Sequence, residues 1–226
     1  MNLRRGNGED AGQAENGWGS SMGRPHMIRW CLAALALLAA TSACGDVVRE
    51  GRSPVYLVID SLQAAQGNKP TTLGGQLISD VITNVITPAP CSAATPCATV
   101  FNDQGSVVFR LTPKDVGIAP TTNNQVTITR YRVTYKRADG RNTPGVDVPY
   151  GFDGAITGTV PATGTATFGF ELVRHVAKEE SPLVQLIANP QIINAIADVV
   201  FFGRDQVGND ISASGSISIQ FGNFGD

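Results

Sequence analysis

Few side chains in this 226-residue chain are suited to reactive chemistry, and those few are far apart. After Cys44 there is one histidine, His175, so a metal or base site built on several histidines is impossible in that part of the chain. Glu179 and Glu180 follow it closely and serines are plentiful, but no G-x-S-x-G elbow is present to present a serine nucleophile. A half-exposed histidine at a strand end explains His175 without invoking catalysis. In "DQVGND", Asp205, Asn209 and Asp210 offer the hard oxygen ligands that Ca²⁺ prefers, at a spacing that is not that of an EF-hand loop. The same three residues suit a hairpin turn for backbone reasons, and no metal site and no cofactor is expected.

Two further stretches concern binding. Alternation in "ITRYRVTYKRADGR" sets Arg130, Arg132 and Lys136 on one strand face and Tyr131, Val133 and Tyr135 on the other. That basic ladder either grips a polyanion or faces water while the tyrosines pack inward, where it also discourages edge aggregation. The long loop "ADGRNTPGVDVPYGFDG" (138–154) brings Tyr150, Phe152 and Asp153 toward the surface and is the expected contact surface, since long loops at the end of a sandwich often carry binding.

The elements that would position these groups are strands. Gly, Thr, Ser, Val and Ile crowd the later part of the chain, and short apolar-alternating runs recur between Gly, Pro, Asn and Asp clusters. They predict strands over 54–62, 76–83, 98–102, 106–112, 125–137, 155–160, 165–176, 195–202 and 211–221. In the last of these Ile211, Ala213, Gly215, Ile217, Ile219 and Phe221 share one face, and Ser212, Ser214, Ser216, Ser218 and Gln220 the other. The "QVGND" link to the preceding strand predicts an antiparallel hairpin with Gly208 and Asn209 at positions needing positive φ. One short helix is expected within 180–191, with Ser181 as N-cap, Pro182 in the first turn and Pro190 past the end. The fold class expected is all-β: an antiparallel two-sheet sandwich of about eight or nine strands over residues 54–226, with a closed barrel as the alternative.

The N-terminal region has a different character. "MIRW", the apolar "CLAALALLAA" and the small-residue "TSAC" follow in the order of a secretory signal over 27–43, and the apolar run is shorter than the roughly 20 residues a membrane span needs. Ser42, Ala43, Cys44 and Gly45 resemble the lipobox of a bacterial lipoprotein. That resemblance implies a diacylglyceryl group on Cys44, and Thr41 departs from the leucine usual three places before the cysteine. An ordinary secretory signal cleaved after Ala43 is the rival. Residues 1–26 are polar and aperiodic and read as a start codon assigned too early or a removable extension, and 44–53 as a polar tether. In an exported protein Cys91 and Cys97 of "CSAATPC" read as a small disulfide loop, and no third Cys or His lies near enough to favour a metal instead.

The ending "VVFFGRDQVGNDISASGSISIQF" resembles the last two strands of bacterial immunoglobulin-like envelope domains. The buried Trp and inter-sheet cysteine pair of antibody-type domains are lacking, since both tryptophans, Trp18 and Trp30, precede Cys44. After Cys44 thirteen Lys and Arg face sixteen Asp and Glu, so no field exists to attract nucleic acid. These readings converge on a lipid-anchored protein of the bacterial cell envelope, outer membrane favoured over inner. Its sandwich is expected to be a non-catalytic binding or structural module, held to the membrane by its lipid and meeting other envelope proteins or glycans. A carbohydrate- or calcium-dependent adhesion module, or an envelope hydrolase with an unrecognised serine or acidic pair, are the alternatives.

Overall fold

The computed structural model describes residues 51–225, so Cys44, the signal segment and the start of the tether lie outside the described residues. β1 (Val55–Ala65), β5 (Asp103–Pro113) and β8 (Thr165–Val173) form a three-stranded sheet in the order β1-β5-β8. β2 (Gln76–Asp80), β10 (Asp210–Gly222), β9 (Ile193–Asp205), β6 (Val126–Lys136) and β7 (Phe152–Val160) form a five-stranded sheet in that order. β3 (Thr83–Val85) and β4 (Cys97–Thr99) make a separate short hairpin. The fold is an all-β sandwich.

Period-two burial is what holds the two sheets face to face. In β9 Ala195, Ala197, Val199 and Phe201 are buried in alternation, and β10 answers with Ile211, Ile217, Ile219 and Phe221. The core has no tryptophan and is built instead on phenylalanines and two tyrosines, Tyr131 and Tyr135. Phe201 meets Phe109 edge-on at 5.0 Å and Phe170 at 5.2 Å, and Phe170 meets Tyr131 at 5.2 Å. Each fully buried large apolar side chain contributes about 1.5–3 kcal/mol, and the edge-on rings add to that.

The β9–β10 hairpin forms as its sequence predicts, with Gly208 at φ +89° in the turn. Three expectations need correction. Strand pairing is not wholly antiparallel, because β2 runs parallel to β10, Ser218 opposite Gln76 through Gly222 opposite Asp80. The cause is the segment between β1 and β2, which folds back through the Ala64–Gly74 bridge and delivers β2 to the opposite sheet. The strand expected over 165–176 stops at Val173, where its partner β5 begins at Asp103 and no further residue is left to pair. The chain turns there into the short helix α1 (His175–Glu179). The short helix expected within 180–191 is a 3-10 turn, Leu183–Leu186, with Pro182 and not Ser181 at its N-cap; Leu183 and Leu186 are both buried, and a three-residue repeat aligns them.

The strand directions define two poles. The chain enters at Val55, paired with Pro113, and that proximal pole also carries the turns 114–125, 161–164 and 206–209. The distal pole carries the connections 66–75, 81–102, 137–151 and 174–192 and the C-terminal residues after Gly222.

Candidate functional site

At the distal pole a charged cluster is sealed inside the protein. Lys178, on α1, is 1% exposed, Asp103, at the start of β5, 0%, and Ser79, in β2, 0%. Helix α1 lies over the end of the core, buries Ala177 and Lys178, and leaves His175 exposed. The Lys178 ammonium donates to Asp103 Oδ1 at 3.0 Å and to the Asp80 carbonyl at 2.8 Å, and lies 2.9 Å from Asp103 Oδ2. Ser79 Oγ donates to Asp103 Oδ2 at 2.6 Å, and the Gly67 amide to Oδ1 at 2.9 Å. Burial pushes the Asp103 carboxyl up, while the Lys178 ammonium and the bonds from Ser79 and Gly67 pull it down. Serine, carboxylate and lysine in contact are the parts of a nucleophilic site, yet all three are closed to solvent. The cluster therefore works as a lock joining β2, β5, α1 and the 66–75 loop.

Sequence reasoning missed this lock. Its members stand at 67, 79, 103 and 178, and Lys178 in "VAKEE" looks like part of a solvated charge run. A second tie joins the sheets nearby: Tyr135 donates its hydroxyl to the Leu172 carbonyl at 2.7 Å, and the Glu171 amide donates to Tyr131 Oη at 3.2 Å. Both tyrosines reach from β6 to β8 beside the register shift at Asp103/Gln104.

At the same pole, the segments 137–151 and 181–193 border a cleft of about 310 Å³. Arg137, Arg141, Gln185, Asn189 and Gln191 line it, with Val146 and Ile192 presenting apolar surface. Asp139 Oδ2 accepts from Arg137 Nη2 at 2.6 Å and from Arg141 Nη2 at 2.8 Å. The Arg141 bond, with Arg137 behind it, holds the Asp139 carboxyl down to about 2. A cleft of planar guanidinium and amide groups beside aliphatic patches suits a hydroxyl-rich ligand better than a strongly charged one, because Asp139 and Asp147 balance the arginines.

The residues singled out by sequence fall in several places. Tyr150 is 54% exposed in the 137–151 loop. Phe152 and Asp153 open β7: Phe152 packs edge-on against Tyr131 at 6.1 Å under the Arg174 guanidinium, and Asp153 accepts from Arg132 Nε at 2.9 Å and Nη2 at 3.0 Å. The basic ladder lies on the outer face with its charges met. Arg132 pairs with Asp153, Lys136 with Asp198 at 2.6 Å, and Arg130 stacks on Phe202 at 3.7 Å, while Tyr131 and Tyr135 are buried. Cys91 and Cys97 are joined in a disulfide across the β3–β4 connection. Asp205 accepts from the Val207 and Asn209 amides and the Asn209 side chain, and Asp210 pairs with Arg204 at 2.6 Å. These oxygens thus serve the hairpin turn. Among the described residues no three His, Cys, Asp or Glu side chains gather as a metal would need, and no helix is long and apolar enough to cross a membrane.

The fold and its loops define the chain as a two-sheet β-sandwich with a charged lock and a polar cleft at one pole. No family model matches the sequence, and no curated protein does. A solution structure described as that of "a putative late embryogenesis abundant (LEA) protein" is similar over 86% of this chain and 84% of that one, at 11% identity and a TM-score of 0.36. A likeness that distant carries no argument about role.

Proposed function

We propose that the protein is a lipid-anchored component of the bacterial cell envelope, whose sandwich is a non-catalytic binding module held at the membrane through Cys44. The supporting observation is the polarity of the sandwich. The chain enters at one pole, and the three longest connections, 81–102, 137–151 and 174–192, the disulfide hairpin and the 310 Å³ cleft gather at the other, where a tethered domain presents them away from its anchor. The lipobox-like Ser42-Ala43-Cys44-Gly45 supplies the anchor, and two or more acyl chains give stable attachment. The sealing of Ser79, Asp103 and Lys178 favours binding over hydrolysis, because no substrate reaches them. Mass spectrometry of the N-terminal peptide from a bacterial host, with and without an inhibitor of lipoprotein signal peptidase, tests the anchor. A diacylated Cys44 with precursor accumulating under inhibitor is expected, and an unmodified N-terminus would end this reading.

The lining of the cleft favours a second reading, that the distal pole binds glycans. A thermal-shift panel of envelope saccharides tests it, with a shift expected that Arg141→Ala and Gln191→Ala abolish. No shift across the panel would remove it.

A further inference from the structure

The proximal pole has a surface of its own. Val116 is 94% exposed, Val207 72% and Ile118 64%, and the first two are the most exposed large apolar side chains among the described residues. All three sit on turns at the pole where the chain enters. The turns 161–164 and 206–209 contain no Asp, Glu, Lys or Arg, and 114–125 carries only Lys114 and Asp115 at its start, whereas three of the four distal connections carry charged side chains. Asp115, just before the tip, is exposed and its side chain serves the turn: its Oδ1 accepts the Gly117 amide at 2.9 Å and its carbonyl the Ile118 amide at 3.4 Å, which leaves Val116 at the apex.

The entering chain is fastened beside this tip. Lys114 donates its amide to the Pro54 carbonyl at 2.9 Å and its ammonium to the Gly51 carbonyl at 3.2 Å. Cys44 is seven residues before Gly51, so its sulfur lies within about 25 Å of that point even with the tether fully extended. We propose that this pole is a lipid-facing surface, with Val116, Ile118 and Val207 seated in the interface of the membrane that holds Cys44. The proposal rests on the lipid-anchor reading and adds an orientation to it: the domain stands on its turns, with the cleft pointing away. Aliphatic tips insert at the headgroup boundary, and Arg52, exposed at the rim, can extend its cation to the phosphates.

The chain from Cys44 onward contains no tryptophan, so one introduced residue reports its own surroundings. Val116→Trp and Val207→Trp probe the proximal pole, and Val146→Trp, on the distal 137–151 loop, is the control. Each protein, spanning Cys44 to the C-terminus, is coupled through the Cys44 thiol to a maleimide phospholipid in phosphatidylethanolamine/phosphatidylglycerol vesicles, with or without brominated acyl chains. That coupling separates the orientation from the anchor, because it holds the domain at the bilayer whether or not Cys44 is acylated in cells. Expected are a blue-shifted emission and at least twofold quenching by bromine at 116 and 207, and neither at 146. Water-like, unquenched emission at 116 and 207 overturns the proposal. So does a blue shift that rises with protein concentration in the absence of lipid, which would assign the pole to a second copy of the chain.

Discussion

Replacing Lys178 by methionine nearly keeps the length of the side chain and removes its ammonium. The aliphatic part still fills the space beneath α1, so the change isolates the charge. Asp103 then keeps the bonds from Ser79 and Gly67 but loses the cation 2.9 Å away, in a site with 0% exposure. Removing one member of a buried pair typically costs about 3–5 kcal/mol, because the survivor is left charged without a partner or must take up a proton. For a domain of this size that lowers the melting temperature by roughly 6–20 °C. The pH dependence has a definite sign. Burial already pushes Asp103 up, and without Lys178 one of the forces opposing that rise is gone. A carboxyl raised in the fold contributes stability that is complete below its unfolded value and is lost as pH climbs through its folded value. The variant should therefore lie closer to wild type at pH 4 than at pH 7 in urea denaturation. Adding Asp103→Asn should recover much of the loss at pH 7, since the pair is then neutral on both sides. A deficit under 1 kcal/mol at pH 7, a deficit that does not change with pH, or no recovery in the double variant would each refute the lock.

Tyr135→Phe leaves the Leu172 carbonyl without its inter-sheet donor and should cost about 1–2 kcal/mol in chemical denaturation, with the fold retained. Gly105→Ala should cost about 1–3 kcal/mol, because a Cβ there would overlap the Phe170 ring, and calorimetry against Gly169→Ala, where the space is open, gives the contrast. Carbon-detected NMR should find Asp139 still ionised at pH 3, with its stabilising contribution lost only as pH falls toward 2; Arg141→Gln should move it back toward the ordinary Asp range. Cys91→Ser with Cys97→Ser opens a short loop on a peripheral hairpin and should cost about 2 kcal/mol or less, read by thermal unfolding with and without reductant.

How much of this was legible in the sequence follows from how local each cause is. The β9–β10 hairpin could be read because its alternation and its Gly208 turn lie within a few tens of residues and bury one face against one core. The inward tyrosines and outward cations of β6 were legible for the same reason. The end of β8 was not, because "TATFGFELVRHV" continues to alternate past Val173 and only the start of its partner at Asp103 stops it. The parallel placement of β2 was invisible, as it depends on a partner at the far end of the chain. The lock shows the limit most clearly: lysine, serine and aspartate are ordinary surface residues by type, and only the meeting of four distant segments turns them into a buried site. The cleft was not legible: the contact residues expected in the 138–154 loop, Tyr150, Phe152 and Asp153, are not among those lining it, and 180–191, across the cleft, reads as a short helix.

The pairing of β2 with β10 joins residues 76–80 to 218–222. A chain that emerges N-terminus first makes β2 early and then holds it for some 140 residues before its neighbour exists. During that wait Leu77 and Ser79 lack the strand they pair with, and Phe224, whose amide donates to Asp80 Oδ1 at 3.2 Å, arrives later still. Pairings so distant in sequence are slow to form and leave strand edges open in the meantime. Residues 218–222 thus act as the clasp of the fold: a chain cut short before Ser218 lacks the stretch that closes β2 and is left open-edged.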